Sequence, residues 1–480
     1  MVSATKQLLI ISNRLPIEIE QEKGNWTVKS SPGGLVTALS PMMRRSRGTW
    51  IGWAGCPDTV PAQKMIDEIP DKEFNLTAVD LSLDQVEKYY RGFANKSIWP
   101  LFHDLLGHFS FDSENWQVYQ DVNRLFASVI MKTKSDDSFV WIHDYQLLLV
   151  GKYLRQLGSV EYLRYFLHIP FPSPDLFRRL PHYKEVLTAL LDYDMIGFQT
   201  LQDKNNFIQC VKDYISEAEK VSDGRKVVIK IRRREIHLGN FPISIDFDEF
   251  NEGAAKEVVE KAAWYLRENM NAEKIVLGLD RLDYTKGIPE RFLTFEKLLR
   301  KYPEFIGKVS LLQVVIPSRL NVPDYQLLKN ELDTLSGRIN GEFTQHGWIP
   351  IHYVFRSLDR IQLLGHYRAS DIALITPLRD GMNLVSKEYC ASSIDNDGVL
   401  VLSKFAGSAK QLGKAAILVN PYDTESTADA LNIALNMSEE DKVKRMKILR
   451  SEVKRNNVQR WINWFINEEE LWELSEEIPV

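Results

Sequence analysis

The sequence predicts an α/β protein built on two parallel sheets covered by helices, and three observations carry that reading. Short apolar runs alternate with amphipathic stretches along the chain, the pattern of repeated βα units. The 480 residues exceed what one core ordinarily holds, which predicts two domains. Residues able to do chemistry gather where apolar runs end, and α/β proteins bind their ligands at the carboxyl ends of strands.

In chain order, residues 8–11, 139–142, 162–167, 195–198 and 227–231 read as strands of the first half. Residues 274–279, 309–316, 372–375, 399–402 and 416–419 read as strands of the second. Helical periodicity fills many of the gaps, most clearly over 252–270 and 324–336. The stretch from Gly239 to Asp246 is the predicted domain junction. Near the end, Val458, Trp461, Ile462 and Phe465 recur at helical spacing, a stripe expected to pack on a domain.

Composition narrows the class. With 44% hydrophobic and 26% charged residues the chain is globular. A net charge of −5 argues against a protein that coats nucleic acid, so Arg232-Arg233-Arg234 is read as a solvated edge or a local contact. Cys56, Cys210 and Cys390 are widely spaced and make no disulfide framework, as in a reducing compartment. The apolar run at 8–11 is too short for a signal peptide and no run is long enough to span a membrane, so the expected location is cytoplasmic.

Two strand ends in the second half stand out. Residues 280–287 read DRLDYTKG directly after an apolar run, which puts the cations Arg281 and Lys286 at a strand end. A planar guanidinium and a point-charge ammonium together neutralise a diphosphate without metal. Residues 375–389 read ITPLRDGMNLVSKEY: a strand, a loop with Asp380, Gly381 and Asn383, then a helix carrying Glu388. Acid, glycine and helix start together suit a nucleotide-sugar, with amides on the diphosphate and carboxylates on hydroxyls.

The first half adds Arg14 after the first strand, the Gly33-Gly34 pair before a helix, His143-Asp144 after another strand and His168 after the next. Tyr89, Tyr90 and Trp99 offer aromatic surface for a sugar ring. Each alone has a plainer reading: a βα connection, a solvated loop, a tight turn, a structural histidine. Their coincidence at strand ends favours a shared site. Asp192-Tyr193-Asp194 precedes its apolar run and is read as structural. Glycine-rich dinucleotide, P-loop, nucleophile-elbow and HExxH motifs are missing from the sequence.

In these segments the chain resembles the UDP-forming trehalose-6-phosphate synthases of glycosyltransferase family 20. The resemblance runs from about residue 8 to 410 through ISNRLP, YYRGFANKSIWPLFH, VWIHDYQLLL, FLHIPFPSPDLFRRLP, LDRLDYTKGIPER, PLRDGMNLVSKEY and VLSKFAG, in order and with matching spacing. It implies a GT-B fold: two Rossmann-like domains facing a deep interdomain cleft, with an acceptor domain over 1–243, a UDP-glucose domain over 244–455 and a terminal helix over 456–480 crossing back to the first domain. The implied reaction moves glucose from UDP-glucose to glucose 6-phosphate with retention, giving α,α-trehalose 6-phosphate and UDP.

By the same resemblance, Arg281, Lys286, His168 and Asp380 are the catalytic set. Gly33, Gly34, Arg281, Lys286, Leu358, Asp380, Gly381, Met382, Asn383, Leu384, Val385 and Glu388 hold UDP-glucose. Arg14, Tyr90, Trp99, Asp144 and Arg319 hold glucose 6-phosphate, the two arginines on its phosphate. No cofactor, metal, nucleic acid or membrane is implied. The implied assembly is a homo-oligomer or a complex with trehalose-6-phosphate phosphatase and regulatory subunits. Two alternatives stand beside this reading: a non-catalytic regulatory subunit, which is disfavoured by the presence of Arg281, Lys286, Asp380 and Glu388, and a GT-B glucosyltransferase with another acceptor.

Overall fold

The computed structural model describes residues 7–467 apart from 23, 32, 71, 223–226 and 321. Pro32 of the glycine motif and the predicted terminal segment from 468 onward lie outside the described residues. The chain divides into two compact units, one of Met1–Pro242 with Trp461–Val480, the other of Ile243–Arg460.

The first unit holds β1 (Leu8–Arg14), a ribbon of β2 (Ile17–Glu22) and β3 (Asn25–Ser30), β4 (Thr49–Trp53), β5 (Asn75–Ala78), β6 (Phe139–His143), β7 (Leu163–Phe166), β8 (Met195–Phe198), β9 (Ala218–Ser222), β10 (Val227–Ile231) and β11 (Arg234–Asn240). Nine of these form one sheet in the order β5-β4-β1-β6-β7-β8-β11-β10-β9, parallel from β5 to β11 and closed by an antiparallel hairpin. β1, β4 and β6 are buried along almost their whole length, because helices cover both faces of a parallel sheet. The chain runs outward in opposite directions from β1 and β6, so the gap between these strands is the topological switch point.

The second unit repeats the design. Its strands β12 (Lys274–Arg281), β13 (Val309–Ile316), β14 (Ile351–Phe355), β15 (Ile372–Ile375), β16 (Val399–Ser403) and β17 (Ile417–Val419) pair in parallel in the order β14-β13-β12-β15-β16-β17. Its switch point lies between β12 and β15.

Two expectations change. The helix predicted over 252–270 is two helices, Phe247–Ala254 and Glu257–Met270. Lys256 between them is extended, at φ −70° and ψ 139°, and the acids Glu257 and Glu260 open the second helix. The helix expected over 324–336 runs from Pro323 to Phe343. In the arginine run, Arg232 makes a left-handed turn at φ 58°, while Arg234 makes a local contact, donating to Asp192 (3.2 Å) and Asp194 (2.9 Å). Arg155 pairs with Asp194 as well, so the DYD acids are held by arginines.

The stripe near the end lies on the helix Val458–Ile466. Within the first unit, Phe465 stacks on Trp141 at 4.3 Å between ring centres, and Trp461 lies 5.3 Å from the same ring. Gly197 on β8 makes room for this packing, since a Cβ there would stand 2.7 Å from both Phe166 and Phe465.

Candidate functional site

In the second unit, β12 and β15 deliver their loops side by side at the switch point. Arg281 is the last, exposed residue of β12. Five residues on, the Lys286 ammonium donates to the Asp380 carboxylate at 2.6 Å, with both side chains about seven-eighths buried. An ammonium has three donors and Asp380 takes one of them. Asn383 donates to the same carboxylate oxygen at 3.2 Å.

Backbone contacts fix the two loops to each other. The Leu378 N–H donates to the Thr285 carbonyl at 2.8 Å. Gly287 adopts φ +61°, and a Cβ there would stand 2.2 Å from the Thr376 carbonyl oxygen, so glycine is required twice over.

Asp380 leads into the helix Leu384–Ser392. Asn383, at φ 71°, caps it by accepting from the Ser386 N–H at 3.1 Å. The backbone from Gly381 to Val385 thus forms the approach to a helix N-terminus, a setting that favours anions. A third loop braces it: the Gly407 N–H donates to the Asp380 carbonyl at 3.1 Å, and the Ser408 N–H to the Met382 carbonyl at 2.8 Å.

Glu388 lies further along the helix, half-buried, and accepts from the Tyr367 hydroxyl at 2.6 Å. Burial pushes its carboxyl above the ordinary value, and the Tyr367 hydroxyl opposes that rise. Leu358 is half-buried and packs against the core of this unit.

Arg319 follows β13 at φ 51° and lies 3.7 Å from the buried Asp283 carboxylate. Against the effect of burial, Arg319 and Lys286 hold that carboxyl below its ordinary value. Arg319 therefore belongs to the second unit and Arg14 to the first; neither unit by itself brings the expected arginine pair together.

In the first unit, the strand ends of β1, β6 and β7 carry the candidates. The Arg14 guanidinium lies 4.4 Å from the centre of the Trp53 ring and pairs with Glu18. Asn13 beside it accepts from the Tyr89 hydroxyl at 2.9 Å. Tyr89 is fully buried, so it is core and not lining. Tyr90 is half-buried near Trp53. Trp99 is 5% exposed and packs on His103 and Tyr145, so it forms wall more than surface.

Tyr89 and Tyr90 sit on a π-helical stretch, Val86–Ile98, whose wider turn is a recurrent mark of functional sites. Gly33 and Gly34 open the helix Gly34–Ser46 and are exposed; a Cβ on Gly33 would meet nothing within 4 Å.

Asp144 holds φ 77° and ψ 169°, a costly conformation for a residue with a side chain. Bonds to the neighbouring strand end help to maintain it: its N–H donates to the Phe166 carbonyl at 2.8 Å, and its carboxylate accepts from the His168 N–H at 3.2 Å. The His168 ring meets His143 through Nε2 at 3.1 Å and Gln199 through Nδ1 at 3.4 Å. Burial pulls the His168 imidazole down to about 3 and pulls His143 well below its ordinary value, with His168 adding to the second effect. The pair is neutral, and both nitrogens of His168 have protein partners.

Some of this geometry has no clear mark in the sequence. Tyr367, Gln199 and the loop from Lys404 to Ser408 act on site residues far from them in the chain. Two motifs of the resemblance, DYDMIGFQT around Gln199 and VLSKFAG in the third loop, mark these places without a role assigned to them.

The sequence model described as glycosyltransferase family 20 matches residues 6–470. A Dictyostelium discoideum protein named alpha,alpha-trehalose-phosphate synthase (UDP-forming) A is 39% identical over 96% of this chain, and the chain spans 62% of that relative's length. A Candida albicans protein named alpha,alpha-trehalose-phosphate synthase (UDP-forming) is 38% identical over 96% of this chain and 97% of its own. An E. coli structure described as trehalose-6-phosphate bound with UDP-2-fluoro glucose superposes with a TM-score of 0.87 at 35% identity, covering 96% of this chain and 98% of that one. A Burkholderia xenovorans alpha,alpha-trehalose-phosphate synthase in complex with glucose-6-phosphate gives a TM-score of 0.87 at 31% identity, covering 97% and 100%.

Proposed function

The chain belongs to glycosyltransferase family 20 and has a GT-B fold of two Rossmann-like units, and from that premise we propose that it transfers glucose from UDP-glucose to glucose 6-phosphate, releasing α,α-trehalose 6-phosphate and UDP. This is the first step of trehalose biosynthesis. The observation that carries the reading is the strand-end pair Arg281 and Lys286 beside a capped helix N-terminus, at the switch point of the second sheet.

A departing UDP gathers negative charge on its diphosphate. Two cations and the amides of Gly381, Met382, Asn383, Leu384 and Val385 are suited to stabilise it, and each such donor is worth about 3–4 kcal/mol of barrier. Asp380 takes hydroxyls of the donor glucose, Glu388 the ribose and Leu358 the base. In the first unit Arg14 takes the acceptor phosphate, with Tyr90, Trp99 and Asp144 around the sugar.

The donor bond is α and both bonds of the product are α, so configuration is retained. Front-face attack accounts for this: the acceptor hydroxyl gives its proton to the departing phosphate oxygen as the C1–O bond breaks. No side-chain base is then needed. His168 fits that scheme, because it is neutral with both ring nitrogens engaged, and serving as a base would break one of those bonds. The protein's part is to position the substrates and stabilise charge.

We place the activity in the cytoplasm; among the described residues no helix is long and apolar enough to cross a membrane. The proposed assembly is a homo-oligomer or a complex with a phosphatase that consumes the product, and light scattering reads its mass.

The test combines the protein with UDP-glucose and glucose 6-phosphate, together and singly, with EDTA present, and follows UDP release and the anomeric proton signals. The expected result is a doubly α-linked disaccharide phosphate that forms only with both substrates. UDP release without disaccharide, or turnover with free glucose alone, overturns the reading of the acceptor. Binding of UDP-glucose without turnover points to a regulatory subunit.

A further inference from the structure

Arg291, in the first turn of the helix Ile288–Lys301, is 0% exposed and has no part in the scheme above. Its guanidinium donates to four places. Nη1 reaches the Asp280 carboxylate at 2.8 Å, at the end of β12, and the Gln313 amide oxygen at 2.9 Å, on β13. Nε reaches the Thr376 hydroxyl at 3.1 Å, directly after β15. Nη2 reaches the backbone carbonyl of Lys286 at 3.4 Å.

A buried charge is an expensive way to fill space; apolar side chains of the same volume are often as stable or better. The surroundings nevertheless make room for it. On β12, a Cβ at Gly278 would stand 2.2 Å from the Gln313 amide oxygen and 2.7 Å from Arg291 Nη1, so the strand is glycine where the guanidinium passes.

Two of the four acceptors are the roots of the loops that carry Lys286 and Asp380. We infer that Arg291 is a positioning residue for the diphosphate site: a rigid fork beneath both loops that holds the Lys286 backbone against Thr376 and thereby sets the Lys286–Asp380 pair. Only a planar group with several fixed donors spans these acceptors at once. Asp280 balances its charge inside the sheet, so Arg281 and Lys286 remain the cations directed at the ligand. The inference rests on the reading of these loops as the donor diphosphate site.

The test uses R291M, R291K and the neutralised pair D280N/R291M, with melting temperature, the UDP dissociation constant and the KM for each substrate as readouts. R291M strands a buried carboxylate and loses both stability and UDP affinity. D280N/R291M removes the stranded charge and recovers most of the melting temperature. It still binds UDP about tenfold more weakly, with KM raised for UDP-glucose and unchanged for glucose 6-phosphate. R291K keeps the charge but not the fork and shows the same donor-specific defect. A double variant that recovers both stability and wild-type UDP affinity overturns the inference and leaves Arg291 as a charge balance for Asp280. A wild-type protein that binds no UDP overturns the reading of the site itself, a separate outcome.

Discussion

The two sheets place their strand-end residues in opposite electrical settings. At the switch point of the second unit, an exposed arginine, a lysine paired at 2.6 Å and a capped helix N-terminus lie on loops fastened to one another through the backbone. At the strand ends of the first, the sheet carries one arginine over an aromatic ring, a neutral imidazole pair and a strained aspartate. On the proposed function, similar folds serve different tasks: one site is suited to anionic charge that grows during reaction, the other to a polar ring whose single anion is carried in from the start.

The largest break in that contrast comes from Lys286→Ala. It removes a donor to charge that develops in the transition state, so kcat falls by about 10²–10³ while the KM for glucose 6-phosphate stays put. Steady-state kinetics with each substrate varied in turn reads both values. Arg14→Ala comes next and acts on the other side. The loss of a charged hydrogen bond costs about 1.5–3 kcal/mol, which raises the KM for glucose 6-phosphate by about 10- to 100-fold and leaves UDP affinity unchanged.

Tyr367→Phe sharpens the picture of the ribose acid. It weakens UDP binding by about fivefold, one ordinary hydrogen bond. It also moves a pH limb. In its proposed role Glu388 accepts ribose hydroxyls in its ionised form, and UDP affinity is then lost as pH falls through its pKa, which burial already raises. Without the Tyr367 hydroxyl that value rises further, and calorimetric titrations across pH show the loss beginning at higher pH.

The smallest effect concerns stability. Lys387 is 1% exposed, donates to the Ile243 carbonyl at 2.7 Å, and burial pulls its ammonium down to about 7 from 10.5. Between those values the unfolded chain binds a proton that the folded chain does not, so wild-type stability rises with pH through that window. Lys387→Met lacks this slope. The melting temperature of the variant relative to wild type is therefore higher near pH 7 than near pH 9.5.

The fold was legible where burial is two-sided. β1, β6, β12, β13, β15 and β16 are mostly apolar and almost wholly buried, and all six are legible in the chain. Strands with little or partial burial escaped: β5 at one edge, β9 at the other, and β14 at the edge of the second sheet, where four of five residues are only half-buried. β4 escapes although it is fully buried, because in the five residues TWIGW threonine and glycine leave no apolar run longer than two, whereas the eight-residue β12 and β13 keep longer ones.

The residues singled out for the site have the same logic. Arg14 and Arg281 end their strands, and Asp144 and Asp380 follow theirs directly or within a few residues, so position in the chain reports position in space. Arg291 at Thr376, Tyr367 at Glu388 and His143 at His168 are meetings of distant segments that no local spacing records. Tyr89 reads as lining in the sequence because an aromatic residue looks alike there whether it faces a ligand or the core.

The most direct test of the division between the units is a calorimetric crossover on the full chain. UDP and glucose 6-phosphate are titrated separately into wild type, Lys286→Ala and Arg14→Ala. The account predicts that Lys286→Ala loses UDP affinity and keeps glucose 6-phosphate, while Arg14→Ala does the reverse. Either variant losing both ligands while its melting temperature is unchanged, or losing the opposite one, contradicts it.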